Sequence, residues 1–212
     1  QAVFAGVGKG AVAFDVDPEV GHQRRQLNTL MAATKNDDRP TLLSKEHADV
    51  VAEWEESFGH EPAAWIPLAP SEFLSSEGST LKELEDGSIL ASGVRPEKDT
   101  YTITAPLSLS KLAALRLAVL SDDSLPMKGP GRQDNGNLHL SEIEAFVVDG
   151  DSTERRPLKF HQATVDFDQS GWTISHALDG NVATAWGIHP KVGQSHYAVF
   201  ELSTPIKLTA PA

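Results

Sequence analysis

A mainly β fold, a double-sheet β-sandwich of jelly-roll type behind a short N-terminal helical segment, is what this 212-residue sequence predicts. Three observations carry it. From Trp65 onward, short β-compatible runs alternate with turn signals about every ten residues. No helical periodicity interrupts those runs, so the strands pair antiparallel and stack as two sheets. Forty per cent hydrophobic content and four tryptophans supply a core, while 13 prolines and 16 glycines punctuate it with loops.

The elements follow in chain order. Residues 23–35 suit a helix, with Leu27, Leu30 and Met31 on one stripe. Asn36-Asp37-Asp38-Arg39-Pro40 breaks it. Ser44 then caps a second helix that Gly59 stops. Val50, Val51, Trp54 and Phe58 form its apolar stripe, which is expected to dock on the sandwich, with Trp54 as packing anchor. This divides the chain into a helical or irregular segment, 1–60, and a β-sandwich, 61–212. Strands are expected at residues 65–68, 80–84, 89–92, 99–104, 114–120, 138–148, 156–159, 163–166, 198–202 and 206–208. Asp86-Gly87 is a hairpin turn between the second and third. Leu115, Leu117 and Val119 alternate with Arg116 and Ala118, so one face of that strand is buried. Residues 151–154 are a polar loop.

Composition excludes several function classes. A formal net charge of −12 disfavours nucleic acid and anionic lipid as partners. With no cysteine, the chain holds no disulfide, thiolate metal site, cysteine nucleophile or covalently attached c-type haem. No apolar run approaches the roughly 18 residues of a membrane span. No signal peptide is visible. The start at Gln1-Ala2-Val3-Phe4 reads as a mature protein or a segment of a longer one.

The run ALDGNVATAW, residues 177–186, is the strongest chemical signal. It gathers Asp179, Asn181 and Thr184 around Gly180. Closely spaced oxygen donors suit calcium, which takes six to eight of them, and the glycine permits the sharp bend. Asp-Gly alone reads more simply as an ordinary turn. A further carboxylate must come from elsewhere, and Glu142 in HLSEIEAFV is the best placed. If Leu140, Ile143 and Phe146 all face inward, Glu142 sits at a bulge or strand end. Otherwise it is a solvated edge carboxylate.

Other groups are weaker. In the loop SLPMKGPGRQDNGN, Arg132, Asn135 and Asn137 offer donors to a sugar hydroxyl or an anionic group, or are simply solvated. His176, His189 and His196 fall within 21 residues, which invites zinc, but without helical pairing or cysteine support. His189 and His196 flank a loop placed to rim a binding surface. Asp166 and Asp168 share a face if they lie on a strand, as a glycosidase pair would; solvated strand-end residues are the plainer reading. There is no nucleophile elbow, phosphate loop or HExxH.

Residues 86–93 (DGSILASG), 99–104 (DTYTIT), 115–144 and 163–202 resemble a region of large planctomycete cytochrome-type proteins, as does AVFAGV at residues 2–7. The resemblance implies an extracytoplasmic setting, periplasmic or secreted, beside neighbouring domains of a longer chain. No haem role carries over without CxxCH. ALDGNVATAW with LSEIE is also similar to galactose-binding-like, discoidin-type carbohydrate-binding modules. That similarity implies calcium held by Asp179, Asn181, Thr184 and Glu142 with main-chain carbonyls. Here the glutamate precedes the loop, the reverse of the usual order, so a permuted strand order is implied. The resulting expectation is a non-catalytic polysaccharide-binding module with a structural calcium ion. Its ligand-facing residues are Arg132, Asn135, Asn137, His189 and His196. The alternative is an architectural interaction domain of a c-type cytochrome multidomain protein that binds no glycan.

Overall fold

In the computed structural model, residues 2–6, 11–17, 65–149 and 152–208 are described, the first two stretches as backbone only. The helices expected at 23–35 and 44–59, with Val50, Val51, Trp54 and Phe58, lie outside the described residues.

The described chain is mainly β, in two large antiparallel sheets and one small one. The first large sheet runs β11 (Arg156–Leu158), β10 (Ile143–Val147), β1 (Ala2–Gly6), β7 (Tyr101–Ala105), β4 (Glu72–Ser75). The second runs β12 (Phe160–Val165), β14 (His196–Lys207), β8 (Lys111–Leu120), β2 (Ala11–Asp17), β6 (Ile89–Gly93), β5 (Ser79–Glu83), with β3 (Ile66–Pro67) also paired to β2. The small sheet pairs β13 (Trp186–Gly187) with β9 (His139–Leu140).

The start of the chain is thus built into the sheets rather than set apart from them. β1 lies between β10 and β7, and β2 pairs with β8 along Ala11–Asp17. A strand in such a place completes ladder hydrogen bonds on both sides.

One core cluster draws on both large sheets, which gives the sandwich-like packing. Ile103, Ile143, Ala145 and Val147 come from the first sheet and Leu115, Leu117, Val119 and Phe200 from the second. The period-2 alternation of β8 holds: Leu115, Leu117 and Val119 are buried while Arg116 and Ala118 are less so. Arg116 reaches over the Trp65 ring, 4.9 Å from its centroid, so its charge stays outside while its stem covers apolar surface. β14 spans both strands expected at its ends. Its register with β8 shifts between Glu201 and Ile206, where Pro205 has no N–H to give the ladder.

The run expected as one strand over 138–148 is two. β9 ends at Leu140 and β10 begins at Ile143, and Glu142 sits in the gap. Leu140 and Ile143 are both buried although three positions apart, which a continuous strand cannot arrange. Beyond the gap, Ile143, Ala145 and Val147 face inward and Phe146 does not join them. Among the described residues no helix is long and apolar enough to cross a membrane.

Candidate functional site

The break before β10 and the loops after β12 meet at one edge of the sandwich. There a short 3-10 helix, Ile174–Leu178, leads into the Asp179 loop. Asp179 Oδ1 accepts the Asn181 N–H at 2.8 Å, and Oδ2 accepts the Thr184 hydroxyl at 2.8 Å. Asn181 Oδ1 accepts the Ala183 N–H at 3.1 Å, and the Asn181 carbonyl accepts Thr184 N–H at 3.0 Å and Thr184 Oγ1 at 2.8 Å. Gly180 has φ 72°, a left-handed conformation that favours glycine. Side-chain turns of this kind fix a loop without a strand ladder.

Glu142 lies against this loop, 37 positions earlier in sequence than Asp179 (179 − 142). Its Oε1 is buried with no hydrogen-bond partner among the described residues. Burial and then the Asp179 charge raise its pKa, against the opposing pull of the Asn181 and Gly180 N–H groups. The Thr184 hydroxyl holds the pKa of Asp179 below the ordinary carboxylate value. Two carboxylates therefore meet, with one Glu142 oxygen left without a partner. The four residues expected at a metal site do converge. Among the described residues, though, no three or more His, Cys, Asp or Glu side chains form a group able to hold a metal.

Beside the loop opens a groove of about 590 Å³, whose walls include Asn135, His139, Trp172 and Thr184. Trp172 is set by a bridge to Gln169, with its N–H on the Gln169 carbonyl at 2.8 Å. Its ring stacks on His139 with centroids 4.1 Å apart and planes 15° from parallel. Desolvation of the imidazole lowers the His139 pKa, which favours the neutral ring.

Asn137 works behind the groove rather than in it alone. It is 8 % exposed. Its Oδ1 accepts the N–H groups of Ile188 and His189, each at 3.1 Å, and its Nδ2 donates to Gln169 Oε1 at 3.0 Å. Asn135 Oδ1 accepts the Asn137 N–H at 3.1 Å, with the Asn135 side chain at the groove wall. His189 is exposed and is tied in through its backbone.

Arg132 departs from expectation. It is 5 % exposed and its guanidinium points into the protein. Nη1 donates to Ser79 Oγ at 2.9 Å, and Nη2 to the carbonyls of Gly93 and Val94 at 2.9 and 2.7 Å. Ser79 Oγ in turn donates to Asp99 Oδ2 at 2.6 Å. The reason lies one residue earlier: a Cβ on Gly131 would fall on the Asn137 carbonyl, so the backbones touch there and Arg132 is turned beneath the loop. In place of a ligand-facing cation, the structure has a buried clamp.

The remaining expectations resolve as structural bonds. His196 is 3 % exposed, so it does not rim an open surface. Its Nδ1 meets Asp166 Oδ2 at 2.7 Å and its Nε2 meets the Lys191 carbonyl at 2.7 Å. Asp166 Oδ1 also accepts the Tyr197 N–H at 2.9 Å, and Asp168 Oδ1 accepts the Ile174 N–H at 2.8 Å. Both aspartates lie just past the end of β12 and are exposed, as strand-end residues, and each also accepts a backbone N–H. His176 Nδ1 contacts the Ala185 carbonyl at 3.1 Å. The three histidines thus serve separate contacts. Asp166→Ala should leave Nδ1 of the buried His196 without its partner and cost about 1–3 kcal/mol, read as a lower urea midpoint with an unchanged slope.

Trp172, His139 and Gln169 carry the groove and have no signature in the sequence beyond an aromatic after Gly171. No family model, curated protein or solved structure matches this chain.

Proposed function

We propose that this chain is a non-catalytic carbohydrate-binding module with a galactose-binding-like β-sandwich of jelly-roll type, part of a larger extracytoplasmic protein. The observation that carries the binding role is the Trp172–His139 stack lining a groove beside the Asp179 loop. An aromatic face takes the C–H side of a sugar ring, while neighbouring polar groups orient its hydroxyls. Asn135 and Thr184 stand on the walls for the second task. The loops are held from behind by Asn137 and Gln169, so the groove is preformed.

Calcium is the proposed structural partner of the Asp179 loop. The donor set fits it: hard oxygens from Asp179, Asn181, Thr184 and Glu142, with carbonyls to complete the shell. The unpartnered Glu142 Oε1 beside a second carboxylate supports the same reading. The ion's task is to neutralise that pair and brace the loop that forms one groove wall. No step of chemistry is assigned to it.

Affinity electrophoresis against a panel of polysaccharides is the test. Binding by the parent is expected, and Trp172→Ala should weaken it at least tenfold, about 1.4 kcal/mol, with little change in melting temperature because Trp172 is only half-buried. A parent that binds no polysaccharide sinks the proposal and favours an architectural domain that orients its neighbours. Full affinity in Trp172→Ala moves the site elsewhere.

A further inference from the structure

We infer that the groove is one lobe of a two-lobed cleft shaped for an oligosaccharide chain without anionic groups, with Val182 as the ridge between the lobes. This rests on the glycan-binding reading above and narrows its ligand.

A second hollow of about 670 Å³ adjoins the first. The two share Glu97, Lys98, Ser141 and Val182 on their walls. Each alone falls in the range of about 300–1,000 Å³ that takes a whole small-molecule ligand. Two such spaces in series exceed what one sugar ring fills, and they suit a run of linked units. The second lobe offers the side chains of Ser76 and Thr100 to hydroxyl groups. Its floor is rigid. Asp99 is 2 % exposed and accepts hydrogen bonds from Ser75, Ser76 and Ser79 and from the Glu77 N–H.

Val182 marks the junction. It is 60 % exposed although apolar, on the loop that Asp179, Asn181 and Thr184 fix. An isolated exposed valine needs no explanation. One held on a fixed loop, on the wall common to two polar hollows, offers the C–H face of a sugar a contact between subsites.

The charges exclude an anionic ligand. Glu77, Glu97, Asp99 and Asp134 stand on the walls with Lys98. Arg95 bridges Asp134 at 2.6 Å, and Arg132 is turned inward. The acidic groups outnumber Lys98 and Arg95, so the walls are net negative. A uronate or sulfate would be desolvated beside carboxylates, with the Arg95 guanidinium already paired to Asp134.

Calorimetry with the full chain tests this. Probes are manno- and cello-oligosaccharides from monomer to hexamer, oligogalacturonates and sulfated oligomers. Affinity for a neutral series should rise at least tenfold from monosaccharide to tetrasaccharide, and each anionic series should bind at least tenfold more weakly at equal length. Val182→Asp, at an exposed position, should erase the gain with length. A neutral monosaccharide binding as tightly as its tetramer overturns the two-lobed cleft. Tighter binding of either anionic series overturns the exclusion of anionic ligands. Both outcomes leave the glycan-binding role standing, whereas absence of binding to every sugar, polysaccharides included, removes that role itself.

Discussion

Arg132→Ala is expected to lower the unfolding free energy by about 3–5 kcal/mol, the usual cost of removing one partner from a buried charged network. The side chain joins three separate stretches: the Ser79 hydroxyl on β5 and the carbonyls of Gly93 and Val94, all tied to the loop before β9. Its loss leaves those carbonyls short of a donor in a site that water does not reach freely. Burial would raise the Asp99 pKa, but hydrogen bonds from Ser79, Ser75, the Glu77 N–H and Ser76 together hold it below the ordinary value. A depressed carboxylate contributes stability above its unfolded pKa and loses it as pH falls through the folded one. A variant with less stability to lose should reach that acid unfolding at higher pH than the parent. Arg132→Lys should recover only part of the loss, since a single ammonium cannot span the same fork of acceptors. Against a native stability of about 5–15 kcal/mol the effect is large. An unchanged urea midpoint in Arg132→Ala would contradict the clamp, and a loss of glycan affinity without loss of stability would return Arg132 to the ligand surface.

The strands over 80–84, 89–92, 99–104 and 114–120 were legible because alternation and the Asp86-Gly87 turn are local signals, and the structure has β5 to β8 there. β4 and β13 were not, being four and two residues long with no periodicity to read. β1 and β2 escaped for a different reason. Their place is set by pairing with β10, β7 and β8, far away in sequence, although Val12, Phe14 and Val16 of β2 do alternate with Ala13, Asp15 and Asp17. The same contrast holds at the site. The Asp179 loop announces itself because its bonds lie within six residues. Glu142 was reachable only through the stalled alternation between Leu140 and Ile143, which does place it off the strand. Arg132 misled because a Gly- and Asn-rich loop reads as solvent-exposed, whereas the close approach of Gly131 to Asn137 turns its neighbour inward. Trp172 was silent because one aromatic in a turn has no period.

Calcium should raise the melting temperature, and by more at high pH than at low. An ion that binds only the folded state at about 100 times its Kd adds roughly 2.7 kcal/mol, or roughly 5–10 °C for a domain of this size. The pH dependence follows from the two carboxylates. Glu142 has its folded pKa raised, first by burial and then by Asp179. Without calcium, its contribution is favourable below its unfolded pKa and is lost as pH rises through the folded one, because the ionised form is then forced beside Asp179. Asp179 runs the other way. Its folded pKa is depressed, chiefly by Thr184, so its contribution is lost as pH falls. Calcium requires both groups ionised and must displace the proton from Glu142. The thermal shift between calcium and chelator should accordingly grow as pH rises through the raised Glu142 pKa. Glu142→Gln separates the parts of the prediction. It removes the repulsion, so the metal-free protein should melt higher than the parent at the alkaline end, and it removes a ligand, so the calcium shift should shrink. Asp179→Ala should abolish the shift, and Asp166→Ala should preserve it on a less stable background. Equal midpoints with calcium and with chelator at the alkaline end would eliminate the ion and leave Asp179–Thr184 as a hydrogen-bonded turn alone.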